Sequence, residues 1–326
     1  MVIYCTNDLG SAHTLKRRKY FEYHKIDHKI VGILNTSNDD AEYPYDFRFR
    51  TNNASRFKYY QRVYYAYLLT KSIVNDDSEK IIFRGLEFLL FSAMLKNKYF
   101  IELTDIPNSI LRFKFFRFLI RVLLRKRNLI VTSRGFLDAL GLLVTANIWH
   151  NNPGLVDATQ SLEEKSQPHM RIIYAGYLRG VKELKSNHAW LYNELDFYGK
   201  KNILSVDLSM LKENYFGEYD FKHLNKVYDK YIFGYISDFH GPNSNYSITN
   251  RVYETILNGC IPVHVKKDCT SVFMDNLGIT YVRNLAEFNS FKNKGVQDLL
   301  LYTDQNALKL TEQLERDSKK LNNEIS

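Results

Sequence analysis

Cysteine is scarce in this chain of 326 residues, which has three, at positions 5, 260 and 269. None forms a C-x-x-C pair or stands in a Cys/His cluster with zinc-ligand spacing, so the sequence predicts neither a disulfide framework nor a structural metal site. So sparse and odd a set is typical of a reducing, cytoplasmic compartment. The opening residues, MVIYCTNDLG, have neither a basic segment nor a long apolar segment, so no signal peptide is predicted.

Long hydrophobic runs are also missing. The longest nearly apolar stretches, such as LEFLLFSAML, extend over about ten residues, whereas a membrane-spanning helix needs about 20. No G-x-G-x-x-G fingerprint follows a predicted strand, which argues against a dinucleotide-dependent dehydrogenase. What remains is a globular chain, 45% hydrophobic, that is long enough for two domains with separate cores.

Excess positive charge is confined to the first half of the chain. Residues 1–150 contain 24 Lys and Arg against 14 Asp and Glu, whereas residues 151–326 contain 21 against 22. This asymmetry predicts that the first half faces something anionic: a membrane surface, phosphate groups or nucleic acid. The sequence contains no nucleic-acid recognition module, which disfavours nucleic acid as the partner.

Strand and helix patterns alternate along both halves. Predicted strands of the first half include MVIYC, HKIVGIL, KIIFRG, KYFIELTDI and NLIVTS, and those of the second include RIIYAGYL, LDFYGK, NILSVDL, KYIFGYIS, CIPVHV and GITYVRN. Such alternation is typical of doubly wound α/β folds. We therefore predict an α/β protein with two tandem Rossmann-like domains facing across a cleft, at residues 1–155 and 168–326. The terminal helix either stays in the second domain or returns to the first.

The segment SITNRVYETILNGCIPVHV predicts a ligand-binding helix in the second half. Ser247, Thr249 and Asn250 are all good N-cap residues, and the free N–H groups of a helix that begins there attract a phosphate. Arg251 falls in the first turn, where a cation is unfavourable unless an anion is nearby. Glu254, one turn later, suits a pair of adjacent hydroxyls such as a ribose diol. The alternative is a solvated ion pair between Arg251 and Glu254.

A basic loop follows the predicted strand RIIYA. In GYLRGVK, Arg179 and Lys182 lie three residues apart and suit a diphosphate, although loops of this kind are often basic without binding one. Ligands of open α/β sheets bind beyond the carboxyl ends of the strands, so the residues that follow predicted strands are further candidates for substrate binding. These are Gly10, Ser11, His150, Gly176, Tyr198, Gly199 and Tyr246.

Four segments, IIYAGYLRGVKEL, LDFYGK, YIFGYISDF and NRVYETILNGCIPV, resemble in order and spacing the nucleotide-binding half of GT-B glycosyltransferases. The first half is similar to the same fold through IELTDIP, LIVTSRGF and NIWHNNPG, and the likeness points to bacterial enzymes that build surface polysaccharides. The resemblance implies a nucleoside-diphosphate sugar as donor, with its diphosphate on Arg179, Lys182 or Arg251 and its ribose on Glu254. It implies a glycan or lipid-linked acceptor of capsule, O-antigen or exopolysaccharide synthesis, and no cofactor.

One departure from the family concerns a second glutamate. Many retaining members have two glutamates eight positions apart at this helix; Glu254 matches the second, but Tyr246 occupies the position of the first. The donor sugar and the stereochemical outcome therefore stay open. No D-x-D triplet follows a predicted strand, which fits a metal-independent site. An inverting reaction would need a general base from the first half, either Asp8 or Asp105, although Asp8 could equally cap a helix and Asp105 could lie in a plain turn.

Residues 111–128, LRFKFFRFLIRVLLRKRN, contain seven cations and no acidic residue. Arg117, Arg121 and Arg125 recur at four-residue steps among Phe and Leu, as in basic amphipathic helices on anionic membranes. The alternative is an ordinary helix with a solvated basic face. Together these features predict a cytoplasmic glycosyltransferase that is peripheral to the inner face of a membrane. A nucleotide-sugar epimerase of the same fold and a non-catalytic subunit of a polysaccharide assembly complex remain the alternatives.

Overall fold

Two separate parallel β-sheets organise the chain in the computed structural model. The structure describes residues 1–9, 11–35, 47–51, 58–73, 80–91, 99–104, 114–125, 127–150, 168–176, 181–199, 214–218, 224–236 and 246–325. The first of two units contains Met1–Val156 and Glu315–Ser326, and the second contains Asp157–Leu314.

The first unit has a seven-stranded sheet in the order β3-β2-β1-β4-β5-β6-β7. Its strands are β1 (Val2–Thr6), β2 (His28–Asn35), β3 (Phe47–Thr51), β4 (Lys80–Arg84), β5 (Tyr99–Leu103), β6 (Asn128–Val131) and β7 (Ala146–Ile148). Its helices are α1 (Ala12–Tyr23), α2 (Lys58–Ile73), α3 (Lys114–Leu124) and α4 (Gly135–Leu140), with a 3-10 helix at Leu86–Leu90. Every residue of β1 and β5 is buried, as expected for parallel strands that are covered on both faces.

The second unit has a five-stranded sheet in the order β10-β9-β8-β11-β12. Its strands are β8 (His169–Ala175), β9 (Leu195–Tyr198), β10 (Tyr215–Gly217), β11 (Tyr231–Tyr235) and β12 (Ile261–Val263). Its helices are α5 (Val181–Asn187), α6 (Ala189–Glu194), α7 (Leu224–Tyr228), α8 (Asn250–Leu257), α9 (Cys269–Leu277) and α10 (Leu285–Lys292). All described pairings in both sheets are parallel.

The last helix, α11 (Val296–Ile325), belongs to the second unit up to Leu314 and to the first unit from Glu315 onward. Its end packs into the core of the first unit, where Leu321 and Ile325 are fully buried. The Tyr20 hydroxyl donates to Asn322 Oδ1 at 2.7 Å and ties α1 to the same segment.

A buried ion pair joins α1 to the sheet of the first unit. Arg17 donates from Nε and Nη2 to Glu102 Oε1 at 2.8 and 2.6 Å, and both side chains are buried. The Tyr4 hydroxyl donates to the other carboxylate oxygen at 2.7 Å, and the guanidinium lies 3.9 Å from the centre of the Trp149 ring. The pair thereby connects α1, β5 and the residue that follows β7.

The predicted α/β class with two parallel sheets is confirmed. One predicted strand, GITYVRN, is reduced to a single parallel bridge, between Val282 and Val263 of β12, and α10 begins three residues later at Leu285. The strands β3 and β10 were not predicted. The apolar run LEFLLFSAML begins with the 3-10 helix, and the rest of it from residue 92 onward lies outside the described residues, as do the strand NILSVDL and residues 151–167 between the two predicted domains.

Candidate functional site

Three of the five strands of the second sheet lead directly into a glycine with positive φ. Gly176 follows β8 with φ 147°, Gly199 follows β9 with φ 158°, and Gly217 ends β10 with φ 109°. A methyl group on Gly199 would overlap the carbonyl oxygen of Gly176, so these two strand ends approach each other more closely than side chains permit. The carboxyl edge of this sheet is therefore a surface of bare backbone, which lets a ligand come close.

The helix α8 begins beside this glycine edge. Thr249 is its N-cap, and the hydroxyl accepts a hydrogen bond from the Arg251 amide at 3.5 Å. Its buried residues are Val252, Tyr253, Thr255 and Ile256. Gly259, with φ 65°, follows the end of the helix. The packed face fixes the direction in which the first N–H groups of the helix point.

A buried capping box supports the start of α8 from the neighbouring helix. Asp268 caps α9 and accepts from the amides of Thr270 and Ser271, while Thr270 Oγ1 lies 3.5 Å from the Thr249 amide. Burial alone would raise the pKa of the Asp268 carboxyl, but the hydrogen bond and charge of His264, the Ser271 amide and the charge of Lys266 together outweigh burial and lower it. The carboxylate therefore remains ionised. It caps α9 and thereby holds Thr270 beside the start of α8.

The Arg251 guanidinium lies across the end of β8. Its central carbon is 4.7 Å from the centre of the Tyr174 ring, and a methyl group on Gly176 would come within 2.8 Å of it. Because Gly176 has no side chain, the guanidinium can pack against its backbone and against the ring of Tyr174. This places a positive charge at the first turn of α8, where the helix itself also favours an anion.

Glu254 lies one turn after Arg251 and is half-buried. Its carboxylate makes neither a hydrogen bond nor an ion pair with any residue in the described ranges, so the alternative of an Arg251–Glu254 ion pair is not formed. Burial, followed by the nearby charge of Glu254, raises the pKa of Tyr228 well above 10.0, and Arg251 opposes this shift. A half-buried carboxylate without a protein partner is suited to accept hydrogen bonds from a ligand.

Some of the other predicted residues of the second unit lie near α8 or at strand ends, and some lie outside the described residues. Tyr198 ends β9, and the Tyr215 hydroxyl donates to the Gly199 carbonyl at 3.0 Å beside it. Tyr246 and Ser247 are half-buried in the segment that leads into α8, and Asn250 is its first residue. Arg179 lies outside the described residues, and of Lys182 only the backbone, in α5, is described. The structure thus brings together Gly176, Gly199 and the start of α8.

In the first unit, Asp8 and Ser11 lie at the carboxyl end of β1. Ser11 is the N-cap of α1 and accepts from the Thr14 amide at 3.3 Å, so Asp8 is not the cap. The Asp8 carbonyl accepts from the hydroxyls of Ser11 and Thr14, while its carboxylate oxygen Oδ1 is buried with no hydrogen-bond partner among the described residues. Gly10 and Asp105 lie outside the described residues.

His150 contacts the terminal helix. Its Nε2 lies 2.6 Å from Asp317 Oδ2, its carbonyl accepts from Arg17 at 3.0 Å, and the residue is buried. These contacts anchor the backbone that follows β7, and its predicted role in substrate binding stays a prediction. Sequence reasoning missed Arg17, Glu102 and Arg84 because single charges within helical or strand patterns resemble solvated ones.

The basic helix α3 exposes a broad apolar face. Phe115, Phe118 and Val122 are 69%, 55% and 54% exposed, whereas Leu124 on the opposite side is fully buried. Arg121 and Arg125 are exposed on the stripe between these two sides, and Arg117 is half-buried. The alternative of an ordinary helix, with its apolar side on the sheet and only its basic side in solvent, does not describe α3. No helix in the described ranges is long and apolar enough to cross a membrane.

By sequence, neither a protein-family model nor a curated protein matches this chain. By structure, it is similar to a glycosyltransferase from Rickettsia africae (12% identity, TM-score 0.60, covering 98% of this chain and 93% of that chain). It is also similar to Anabaena HepE in complex with UDP and glucose (10%, 0.65, 100% and 99%) and to WaaG, a glycosyltransferase involved in lipopolysaccharide biosynthesis (8%, 0.61, 100% and 100%). At such identities the likeness shows the fold alone. The chain has the GT-B glycosyltransferase fold, as its sequence resemblance predicted.

Proposed function

We propose that this protein is a glycosyltransferase that moves a sugar from a nucleoside-diphosphate sugar to a glycan or lipid-linked acceptor. The observation that carries the proposal is the geometry of α8, where the Arg251 guanidinium lies over Gly176 and one turn later comes Glu254, whose carboxylate has no partner among the described residues. The Arg251 guanidinium at the start of a helix is suited to a diphosphate, and the Glu254 carboxylate is suited to the two hydroxyls of a ribose. The structures of HepE with UDP and with UDP-glucose support this reading by analogy of fold.

In this proposal the second unit binds the donor. As the bond between the sugar and the diphosphate breaks, negative charge grows on the leaving phosphate. Arg251 and the first N–H groups of α8 stabilise that charge, so the step needs no metal ion. Lys182 and Arg179 are proposed to add to the same positive field. Tyr246 stands where the resemblance places a sugar-binding glutamate, so the contact with the donor sugar differs from that of many retaining enzymes.

The first unit is proposed to bind the acceptor. An inverting transfer requires a base that takes the proton of the attacking hydroxyl, and Asp8 is the described carboxylate best suited to this role. Its Oδ1 atom is buried without a described partner, and a buried acceptor of this kind gains most from a hydroxyl donor. Asp105 remains the alternative base.

Donor binding is tested by titrating the parent protein with UDP-, GDP-, CMP- and dTDP-sugars and repeating the titration of the bound nucleotide on Glu254→Ala. We expect the dissociation constant to rise at least about tenfold, or about 1.4 kcal/mol. Glu312→Ala, which removes an exposed carboxylate from α11, is the matched control and should bind as the parent does. Equal affinities of the Glu254 and Glu312 variants would contradict the assignment.

Turnover separates the alternative functions. A glycosyltransferase consumes the donor much faster when the acceptor is present and releases the nucleoside diphosphate. An epimerase converts the donor sugar without any acceptor and releases no nucleotide, and a non-catalytic subunit leaves the donor unchanged. The same reaction mixtures, resolved by chromatography of nucleotides and sugars, therefore decide among all three.

We further propose that α3 binds the anionic surface of a membrane from the cytoplasmic side. Its exposed aromatic face suits the acyl boundary, and the stripe with Arg117, Arg121 and Arg125 suits anionic headgroups. A lipid-linked acceptor of a surface polysaccharide would be presented at such a surface.

Liposome binding tests this contact. Each cation near an anionic surface contributes about 1 kcal/mol, so replacing all three arginines with glutamine should weaken binding to phosphatidylglycerol vesicles on the order of a hundredfold. The control replaces three exposed lysines, Lys230, Lys319 and Lys320, and should bind nearly as the parent does. Binding by the parent that is insensitive to salt, or equal loss in both triple variants, would refute the membrane contact.

A further inference from the structure

A second buried arginine, Arg84, lies at the carboxyl end of β4 and is only 7% exposed. Its Nη1 donates to the hydroxyl of Ser11 at 2.6 Å and, over longer distances of 3.4 and 3.5 Å, to those of Thr14 and Thr6. Its Nε has one long contact, 3.4 Å, with the Thr104 hydroxyl. The position is the centre of the sheet edge at which ligands of open α/β sheets bind.

The hydroxyls around Arg84 solvate its charge without neutralising it. Ser11 and Thr14 donate their own protons to the Asp8 carbonyl at 3.0 and 2.7 Å, so they offer only lone pairs to the guanidinium. One edge of the guanidinium is thereby held in place by neutral oxygens.

No described carboxylate forms an ion pair with Arg84. Glu102 lies beside Arg84 on the adjacent strand β5, but its two carboxylate oxygens accept hydrogen bonds from Arg17 and from the Tyr4 hydroxyl. Glu87, which follows β4, accepts instead from the Asn7 amide at 2.9 Å. Of the two buried guanidinium groups, only that of Arg17 is paired with a described carboxylate, and a buried cation without a paired counter-charge is costly.

The open edge of Arg84 has the geometry that binds an oxyanion. The Nε and Nη2 groups of a guanidinium form the parallel pair of donors that takes a carboxylate or phosphate in two hydrogen bonds. In Arg84, Nη2 has no described partner and Nε has only the long contact with Thr104. The hydroxyls therefore hold Nη1 in place, while Nε and Nη2 remain able to bind a ligand.

We propose that Arg84 binds an oxyanion, a phosphate or a carboxylate, carried by the acceptor. That the oxyanion belongs to the acceptor rests on the proposed function; the anion site itself rests on Arg84 and its neighbours. The Ser11 hydroxyl donates to the Asp8 backbone carbonyl and accepts from Arg84, so Asp8 and Arg84 stand at the carboxyl ends of the paired strands β1 and β4. The Asp8 Oδ1 atom has no partner among the described residues. The acceptor predicted from this pair has a hydroxyl near a phosphate or carboxylate group.

Nuclear magnetic resonance of the full-length protein tests the site directly. The backbone amides of Ser11 and Thr14 are followed during titration with methyl phosphate and, separately, with acetate, and the stronger ligand identifies the kind of oxyanion. The titration is repeated in Arg251→Gln, which removes the anion site proposed for the second unit. We expect saturable shifts in the parent and in Arg251→Gln, and a dissociation constant at least about tenfold higher in Arg84→Gln.

Two further variants keep the test decisive. Arg84→Lys retains the charge but loses the paired donors, so a dissociation constant raised at least about tenfold supports the site even where Arg84→Gln fails to fold. Arg134→Gln removes an exposed cation of the same unit and should bind as the parent does. Unsaturable shifts in the parent, or equal affinity in Arg84→Lys and the parent, would overturn the proposal.

Failure of this proposal is distinct from failure of the proposed function. The nucleoside diphosphate is titrated into the same Arg84 variants, and its affinity should remain that of the parent. A loss of nucleotide affinity with methyl phosphate affinity unchanged would assign Arg84 to the donor and overturn the acceptor site. A parent protein that binds methyl phosphate at Ser11 but no nucleotide at all would retain the anion site and lose the transferase.

Discussion

Replacing Gly176 with alanine tests whether the position of Arg251 determines donor binding. The added methyl group would overlap Arg251 Nη2 and lie 2.8 Å from Cζ, so the guanidinium would have to leave the ring of Tyr174. The obstructing atoms are the end of a flexible side chain and not backbone, so the arginine moves and the sheet stays. Nucleotide affinity should therefore fall although the arginine itself has not been mutated.

Two separate costs are expected. The φ of 147° is unfavourable for alanine, which should lower the free energy of unfolding by about 1–3 kcal/mol. Hydrogen bonds to a charged group contribute about 1.5–3 kcal/mol each, so displacing the guanidinium should raise the dissociation constant for the nucleoside diphosphate on the order of 10- to 100-fold. Calorimetric titration measures the second cost and thermal unfolding measures the first.

Gly217→Ala is the matched control. Gly217 has a φ of 109°, and a methyl group there would meet no atom within 4 Å. It therefore adds backbone strain and a methyl group to the same glycine edge without displacing Arg251, so its nucleotide affinity should fall much less than that of Gly176→Ala. Arg251→Gln should reproduce the loss seen in Gly176→Ala. Equal nucleotide affinity in Gly176→Ala and Gly217→Ala would show that the place of Arg251 on β8 has no part in binding.

Two further predictions concern stability. Glu102→Gln should lower the free energy of unfolding by about 3–5 kcal/mol, because it leaves the buried guanidinium of Arg17 without a counter-charge; denaturant unfolding measures it, and a change under about 1 kcal/mol would contradict the role of this pair. Burial raises the pKa of Tyr20 from 10.0 to about 12, against smaller opposing effects of Ser318 and Arg17, so the neutral phenol stabilises the fold fully below pH 10.0 and this contribution is lost as the pH rises through about 12. Tyr20→Phe should therefore lose less stability than the parent between these pH values, and parallel alkaline unfolding curves would refute this.

Local patterns predicted most of the elements because their causes are local. The central parallel strands are covered on both faces and read as continuous apolar runs, as in MVIYC and IIYA. The helix α8 was predicted from its N-cap candidates, and the structure selects Thr249 among them. The edge strands β3 and β10 escaped prediction because FRFRT and YFG are short and mixed, and their assignment depends on a neighbouring strand.

The candidate sites were predicted only in outline. That Asp8, Glu254 and Arg251 lie at strand ends or helix starts follows from the order of elements. That Glu254 has no partner in the part of the chain that the structure describes, that Arg251 lies over a glycine, and that α3 turns its aromatic face outward are properties of packing. No periodicity in the sequence distinguishes an apolar face that is covered from one that is exposed.

The sequence by itself determined the alternation of strands and helices, the basic first half and the residue types at the strand ends, since each depends on neighbours a few positions away. The tertiary structure alone decided which groups surround each buried charge. Arg17 donates to Glu102, 85 positions away in the chain, and Arg84 donates to the Ser11 hydroxyl, 73 positions away. Burial makes such distant pairings energetically decisive, because a charge removed from water is stabilised only by the groups that the fold brings to it.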